Sequence, residues 1–266
     1  MKFSCIIPEG ISGMRFLSMN ELVGLYALWL RELLVFWREK SRIVSSLFTP
    51  ILWLVVFGNG VGSAVDVDGV GYQKFIFPGI ICMSVLFSSV FFGLYIIMDK
   101  RIDFFKAVIV APLARITIFS GKMLGGCTDA MIQVAILLMF GAIFGINYSM
   151  FNVSLTFVFL ILLSMSLVSL GLILGVLMDS HEGFNMIVSF LVFPMFFLSG
   201  ALFPLSNLPK WLKVITYFDP MTYAVDGVRG ALIGIHAFPI YTDLLAMTAV
   251  TAVMVWLGTL SFRRLR

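Results

Sequence analysis

The sequence predicts an all-α integral membrane protein with six transmembrane helices. Three observations carry that reading. The chain of 266 residues is 61% hydrophobic and only 12% charged, where a soluble domain carries about a quarter charged residues. Its mean hydropathy is +1.06. Apolar stretches long enough to cross about 30 Å of hydrocarbon, some 20 residues each, recur along its length. They fall at about 43–63, 75–98, 117–146, 152–177, 184–204 and 240–261.

Residues 1–18 precede these spans and mix charge, proline and glycine without an apolar core. They read as a cytoplasmic segment and not as a secretory signal. Residues 19–42 form a helix in which Leu22, Leu25, Trp29, Leu33 and Phe36 share a face, while Glu21, Arg31, Glu32, Arg38 and Glu39 gather mostly elsewhere. Arg31 and Glu32 argue against a seventh span, because each central charge costs about 2.5–3.5 kcal/mol on insertion scales. An interfacial amphipathic helix is expected, with Trp29 and Trp37 at headgroup level. It serves either as a plain anchor or as a contact for another protein.

The first two spans are followed by a charged insert, Asp99 to Lys122, whose centre from Phe104 to Ala111 can form a short helix ended by Pro112. The third and fourth spans form a tight antiparallel hairpin around Asn147 and Asn152. Between the last two spans, Pro204 to Pro239 is too long for a simple connection and too weakly charged for a solvated domain. Pro209 and Pro220 mark the starts of two short helices, one carrying Trp211, Leu212, Ile215 and Phe218, the other pairing Asp226 with Arg229 at i, i+3. That segment is an exit lid or a structural cap. The pairs Gly58/Gly62, Gly121/Gly125, Gly141/Gly145 and Gly171/Gly175 have the spacing that lets helix backbones approach, within one chain first and between copies second.

Orientation follows from the basic residues. Fourteen of the 18 lie on the side that holds both termini: Lys2, Arg15, Arg31, Arg38, Lys40, Arg42, Lys100, Arg101, Lys106, Arg115, Lys122, Arg263, Arg264 and Arg266. Both termini are therefore expected in the cytoplasm, with the protein multi-pass in an inner or plasma membrane. The net charge of +4 follows from this bias and calls for no nucleic acid. Cys5, Cys82 and Cys127 have no paired spacing, so neither a disulfide nor a metal site is expected.

Nothing in the chain reads as a catalyst. Gly121-Lys122 lacks the upstream glycine of a phosphate loop, and no Cys/His cluster or Ser-His-Asp set stands out. Asp129 is the one acid that the reading places inside a span. It serves proton relay or substrate contact, or it is held near the cytoplasmic end by its surroundings.

Several motifs in fixed order carry a resemblance. They are Phe77-Pro78-Gly79 entering span two, Val110-Ala111-Pro112-Leu113-Ala114-Arg115 with Gly121-Lys122, Leu198-Ser199-Gly200-Ala201-Leu202-Phe203-Pro204, and Asp219-Pro220-Met221-Thr222-Tyr223. With six spans, an interfacial helix, a basic loop and an outer insert, the chain resembles the membrane subunit of an ABC-2 type exporter over nearly its whole length. The resemblance implies a homodimer that binds two copies of a separate ABC ATPase, with ATP and Mg on that partner and no cofactor on this chain. Its six-span domain would cover 43–266.

A cytoplasmic coupling helix within Arg101 to Val110 would dock into the ATPase through Arg101, Asp103, Phe104, Phe105, Lys106, Pro112 and Arg115. The interfacial helix, with Trp29, Arg31, Glu32, Trp37 and Arg38, would also contact it. Where Ile102-Asp103 stand, many relatives carry glycine or an acid followed by glycine, and an acid where Ala107 stands. The substrate, an amphiphile such as a drug, lipid or lipid-linked saccharide, would pass a dimer interface lined by Phe193, Phe196, Phe197 and Asp129. An ion-coupled secondary carrier and a polytopic enzyme acting on lipids are the alternatives. The first needs more intramembrane acids, the second a polar cluster at one membrane face.

Overall fold

The structure, a computed structural model, describes residues 19–60, 66–67, 70–104, 108, 113–143, 149–205 and 208–263. In chain order the helices are α1 (Met19–Arg38), α2 (Lys40–Gly60), α3 (Tyr72–Phe91), α4 (Leu94–Arg101), α5 (Arg115–Ile143), α6 (Met150–Leu177), α7 (His181–Leu198), α8 (Lys210–Thr216), α9 (Pro220–Ile233) and α10 (Ile240–Arg263). A two-residue hairpin, β1 (Asp66–Val67) with β2 (Val70–Gly71), leads into α3. It is the only strand pair among the described residues.

Five of the six expected spans are present, and the first, expected over 43–63 by itself, reaches the length and hydropathy of a span only together with α1. Five helical stretches are long and apolar enough to cross a membrane, with α3 and α4 counted as one; α1 and α2, which meet at 69°, make a sixth only if the bent pair is counted as one broken span. The bend falls at Glu39, so α1 and α2 run in different directions. Span five is shorter than expected. Helix α7 stops at Leu198, because Gly200 adopts a positive φ of 73° and turns the chain. The two ends of the bundle differ chemically. One holds Lys40, Lys100, Lys122 and Arg263 and is called the basic end below; α8 and α9 pack near the other.

Helix α3 is the centre of the bundle, packed by α2, α5, α6 and α9 and buried along most of its length. Helices α7 and α10 lie at the periphery and leave Phe190, Leu245 and Trp256 largely uncovered. The long helix at Tyr72–Arg101 is broken at Phe92–Gly93, where the amides of Gly93, Tyr95 and Ile96 bond three residues back. The break lies against α6. A Cβ on Gly93 would collide with the Gly171 carbonyl, and one on Gly175 with the Gly93 carbonyl.

The Gly171/Gly175 pair therefore serves packing within the chain. We expect Gly93→Ala to force the two helices apart and to cost about 1–3 kcal/mol, read as a lowered unfolding temperature in detergent. Ala at the exposed Gly71, where a Cβ meets nothing, is the control. Gly62 and Gly145 lie outside the described residues, as do Cys5, the first 18 residues, Phe105, Lys106, Pro112, Arg264 and Arg266.

Candidate functional site

At the basic end α1 lies along α5. The residues it buries are Leu28, Glu32 and Phe36, spaced by four. Two glycines of α5 make room for it: a Cβ on Gly121 would press on Leu28, and one on Gly125 on the Glu32 side chain. This corrects the expected face of α1, because Glu32 points into the protein at 3% exposure while Leu22 is half exposed.

Glu32 is buried because Lys122 is there to meet it. The Lys122 ammonium is fully buried and donates to Glu32 Oε1 at 3.0 Å and to Asp99 Oδ2 at 2.6 Å. Arg31 closes the cluster from the rim. Its Nη2 donates to Asp99 Oδ1 at 2.6 Å, and its Nη1 to Asp99 Oδ2 at 3.2 Å and Glu32 Oε1 at 2.8 Å. Two cations and two carboxylates sum to zero, and each carboxylate receives more than one donor, which is what offsets the desolvation of a buried charge.

Two sequence expectations fail here. Lys122 and Asp99 are not ends of a solvated insert; Asp99 belongs to α4 and Lys122 to α5, which shortens the insert to the residues between Arg101 and Arg115. Asp129, fully buried on α5, is not the only acid inside a span, since Asp99 and Asp243 are buried too.

The insert is fastened to this cluster at its start. The Phe104 ring lies under the Arg31 guanidinium, 3.9 Å from carbon to ring centroid. Asp103 and Arg101 are exposed beside it, and Arg115 opens α5. Asp103 has a φ of 55°, in the left-handed region, which L-residues other than asparagine and aspartate avoid. Asp103→Gly is therefore expected to keep or slightly raise the unfolding temperature, and Asp103→Val to cost about 1–2 kcal/mol, both read by thermal unfolding.

Further bonds tie the same elements together. Glu21 accepts from the Ala114 amide, 3.1 Å from each carboxylate oxygen, and from the Thr117 hydroxyl at 2.6 Å. In doing so it caps the N-terminus of α5 from another helix. Trp29 Nε1 donates to Thr128 Oγ1 at 3.0 Å, and the Tyr95 hydroxyl to Glu39 Oε2 at 2.9 Å. Lys100 donates to the Val176 and Met178 carbonyls and to Asp179, closing the end of α6. Trp37 and Arg38 are exposed at the end of α1. Helices α1, α4, α5 and α6 are thus pinned together at the basic end.

At the opposite end the motifs converge. The turn after α7 packs on Gly79, where a Cβ would meet Ala201, and the Tyr72 hydroxyl donates to the Leu202 carbonyl at 3.1 Å. Arg229, read from sequence as paired with Asp226 along a short helix, is buried. Its Nη2 donates to the Gly200 and Ala201 carbonyls at 2.8 and 3.3 Å, and its guanidinium stands 4.0 Å over the Phe75 ring. Asp226 instead accepts the amides of Ala237 and Phe238.

Phe77-Pro78-Gly79, the Leu198–Pro204 motif and the helix that follows Asp219-Pro220 therefore meet in one packed unit. The sequence model of the ABC-2 type transporter matches residues 23–233, which includes both this unit and the ionic cluster. The chain belongs to the ABC-2 type transporter family. It is 27% identical over 228 residues to the inner membrane transport permease YadH of Escherichia coli K12, covering 83% of this chain and 87% of the relative. It is 29% identical over 197 residues to the putative transport permease ycf38 of Cyanophora paradoxa, covering 72% and 68%. Nodulation protein J of Rhizobium leguminosarum bv. viciae matches at 27% over 219 residues, covering 78% and 82%. The chain is accordingly a multi-pass membrane protein of a transport permease family.

In this ABC-2 chain the aromatics expected along a pathway divide. Phe193 and Phe197 are about half exposed on α7, whereas Phe196 is buried against Trp53 of α2, which removes it from any surface of a single protomer. Phe193 meets Phe87 of α3 edge-on at 5.8 Å. Phe87 also borders a groove of about 460 Å3 between α2, α3 and α5, whose hydroxyls come from Ser45, Ser46, Thr49, Ser84 and Ser88, with the Gln133 amide among them. Gln133 Nε2 donates to Ser88 Oγ at 2.9 Å. Sequence reasoning missed this groove, because isolated serines at helical spacing in an apolar span carry no pattern until three helices bring them together.

Proposed function

We propose that this chain is the membrane subunit of an ATP-driven exporter that carries an amphiphile out of the cytoplasm, as a homodimer with two copies of a separate ABC ATPase. The observation that carries the reading is the ionic cluster of Arg31, Glu32, Asp99 and Lys122 with Phe104 fastened beneath it. It makes α1, α4 and the start of α5 one block directly behind the insert, so a force on the insert reaches the ends of the spans without loss. The basic end then faces the cytoplasm by its excess of lysine and arginine. Helix α1 lies in that interface, and the insert, with Arg101, Asp103, Phe104, Phe105, Lys106, Pro112 and Arg115, docks on the ATPase.

ATP and Mg belong to the partner, and the work comes from the difference in its nucleotide binding between two conformations. A rotation of the block moves α4 against α6 at the Gly93 break, and α3 with it. The hydroxyl-lined groove beside Phe87 and Phe91 suits the polar part of an amphiphile, and the aromatic seam of Phe193 and Phe197 its apolar part. The half-exposed apolar face of α7 is the surface through which two copies would meet.

The test is co-purification in mild detergent with the candidate ATPase, followed by mass determination and ATP turnover. A two-plus-two assembly that hydrolyses ATP supports the reading. A chain that binds no ATPase overturns it and leaves the buried Asp129 as the first residue to test for ion coupling.

A further inference from the structure

The groove between α2, α3 and α5 is set apart by what its hydroxyls leave unbonded. A serine or threonine in a membrane helix ordinarily gives its hydrogen to a carbonyl of the preceding turn. Thr128, Ser154, Thr156, Ser169, Thr248 and Thr251 all do so, each donating to the carbonyl four residues back. Thr49 and Ser88 line the groove, and neither hydroxyl meets an acceptor among the described residues. Thr49 is exposed on α2 and Ser88 half-buried on α3, so both can be reached from the groove.

Gln133 accounts for Ser88. The glutamine is buried, and its Nε2 donates to Ser88 Oγ at 2.9 Å. Ser88 is the acceptor in that bond, so its own hydrogen is left for a partner in the groove. An acceptor stands on the α2 wall. Pro50 lies inside α2 and has no N–H for the Ser46 carbonyl, and both residues line the groove. Among the described residues no charged side chain lines it. An ion entering there would leave water without meeting a counter-charge, a cost that a neutral group with matched hydrogen bonds does not carry. Two donors and one acceptor, all uncharged, are complementary to a secondary amide. An ester supplies the carbonyl but not the N–H.

We propose that this groove binds an uncharged amphiphile through a secondary amide, whose carbonyl accepts from Thr49 and Ser88 and whose N–H donates to the Ser46 carbonyl. The hydrocarbon chain lies along Met83, Phe87 and Phe91. This specifies the polar part of the amphiphile in the transport reading above and rests on that reading. Its test reads binding to this chain alone, whereas failure of the transport reading shows as a missing ATPase.

The probes are N-dodecylacetamide, dodecyl acetate and dodecane, each with a photoreactive diazirine in its chain. They are used on the full chain in phosphatidylcholine nanodiscs, with labelled peptides found by mass spectrometry. The amide is expected to label residues 45–50 and 83–91 and to be displaced by unmodified N-dodecylacetamide, but not by dodecylammonium or dodecanoate. The ester should label about fivefold less, the scale of one neutral hydrogen bond, and dodecane less again. Thr49→Val keeps the shape of an exposed residue and removes one donor, so it should lower amide labelling about fivefold and leave dodecane unchanged. Ser88→Ala is the second variant and should act in the same direction. Equal labelling of these peptides by all three probes, or amide labelling unmoved by either variant, would overturn the proposal. Displacement of the amide by either charged amphiphile would overturn it as well.

Discussion

Replacing Lys122 with methionine is expected to destabilise the protein by about 3–5 kcal/mol, a fall in unfolding temperature on the order of 10 °C in detergent. Methionine matches the volume of the lysine stem, so the effect isolates the charge. Without the ammonium, Glu32 and Asp99 share the single remaining cation, Arg31, whose side chain is 28% exposed. One buried carboxylate is then left without compensation. Arg31→Met should cost less, because its exposed edge lets water replace part of what is lost.

The decisive comparison is the matched pair. Lys122→Met with Asp99→Asn removes one charge of each sign and leaves Arg31 facing Glu32, so the double variant should be more stable than the Lys122 single variant. Contacting charges couple by about 0.5–3 kcal/mol in such cycles. If the two losses simply add, the cluster is not the unit described above, and α1 is held to α5 by its packing on Gly121 and Gly125 alone.

The parts of this fold that were legible in the sequence are those set by length and hydropathy along the chain. The spans read at 75–98 and 152–177 appear as Tyr72–Arg101 and Met150–Leu177, because twenty apolar residues in lipid have no alternative to a helix. Pro209 and Pro220 placed the starts of α8 and α9 for an equally local reason: each occupies a position where its missing N–H is not needed.

What the sequence hid is pairing. Asp99 and Lys122 flank the same insert and so stand at the same membrane level, which was a usable signal, but Glu32 joins them from 90 residues away. A rule that sends charges to water placed all three in solvent. The same rule turned the i, i+3 spacing of Asp226 and Arg229 into a pair, whereas each is spent on backbone groups of a neighbouring turn. Phe196 shows the converse. An aromatic run on one helix does not say which ring meets Trp53 and which remains outside.

The other large effect is expected at the insert. Phe104→Ala removes the ring beneath Arg31, a contact worth about 0.5–2 kcal/mol. Stability should change little, because the four-charge cluster remains. What should change is transmission: the insert is no longer fastened to the block, so the ATPase stays bound and hydrolyses ATP while transport falls several-fold. Replacing Phe104 and Phe105 together with serine should go further and abolish co-purification of the ATPase. Losing an aromatic anchor at an interface costs about 2 kcal/mol or more, which is roughly a thirtyfold loss of affinity. Membrane insertion and unfolding temperature are the controls. The two variants together separate docking from transmission, since only the double variant should release the ATPase. A double variant that retains the ATPase with unchanged affinity would show that the insert is not the docking element. A Phe104→Ala variant with full transport would show that the contact with Arg31 carries no force.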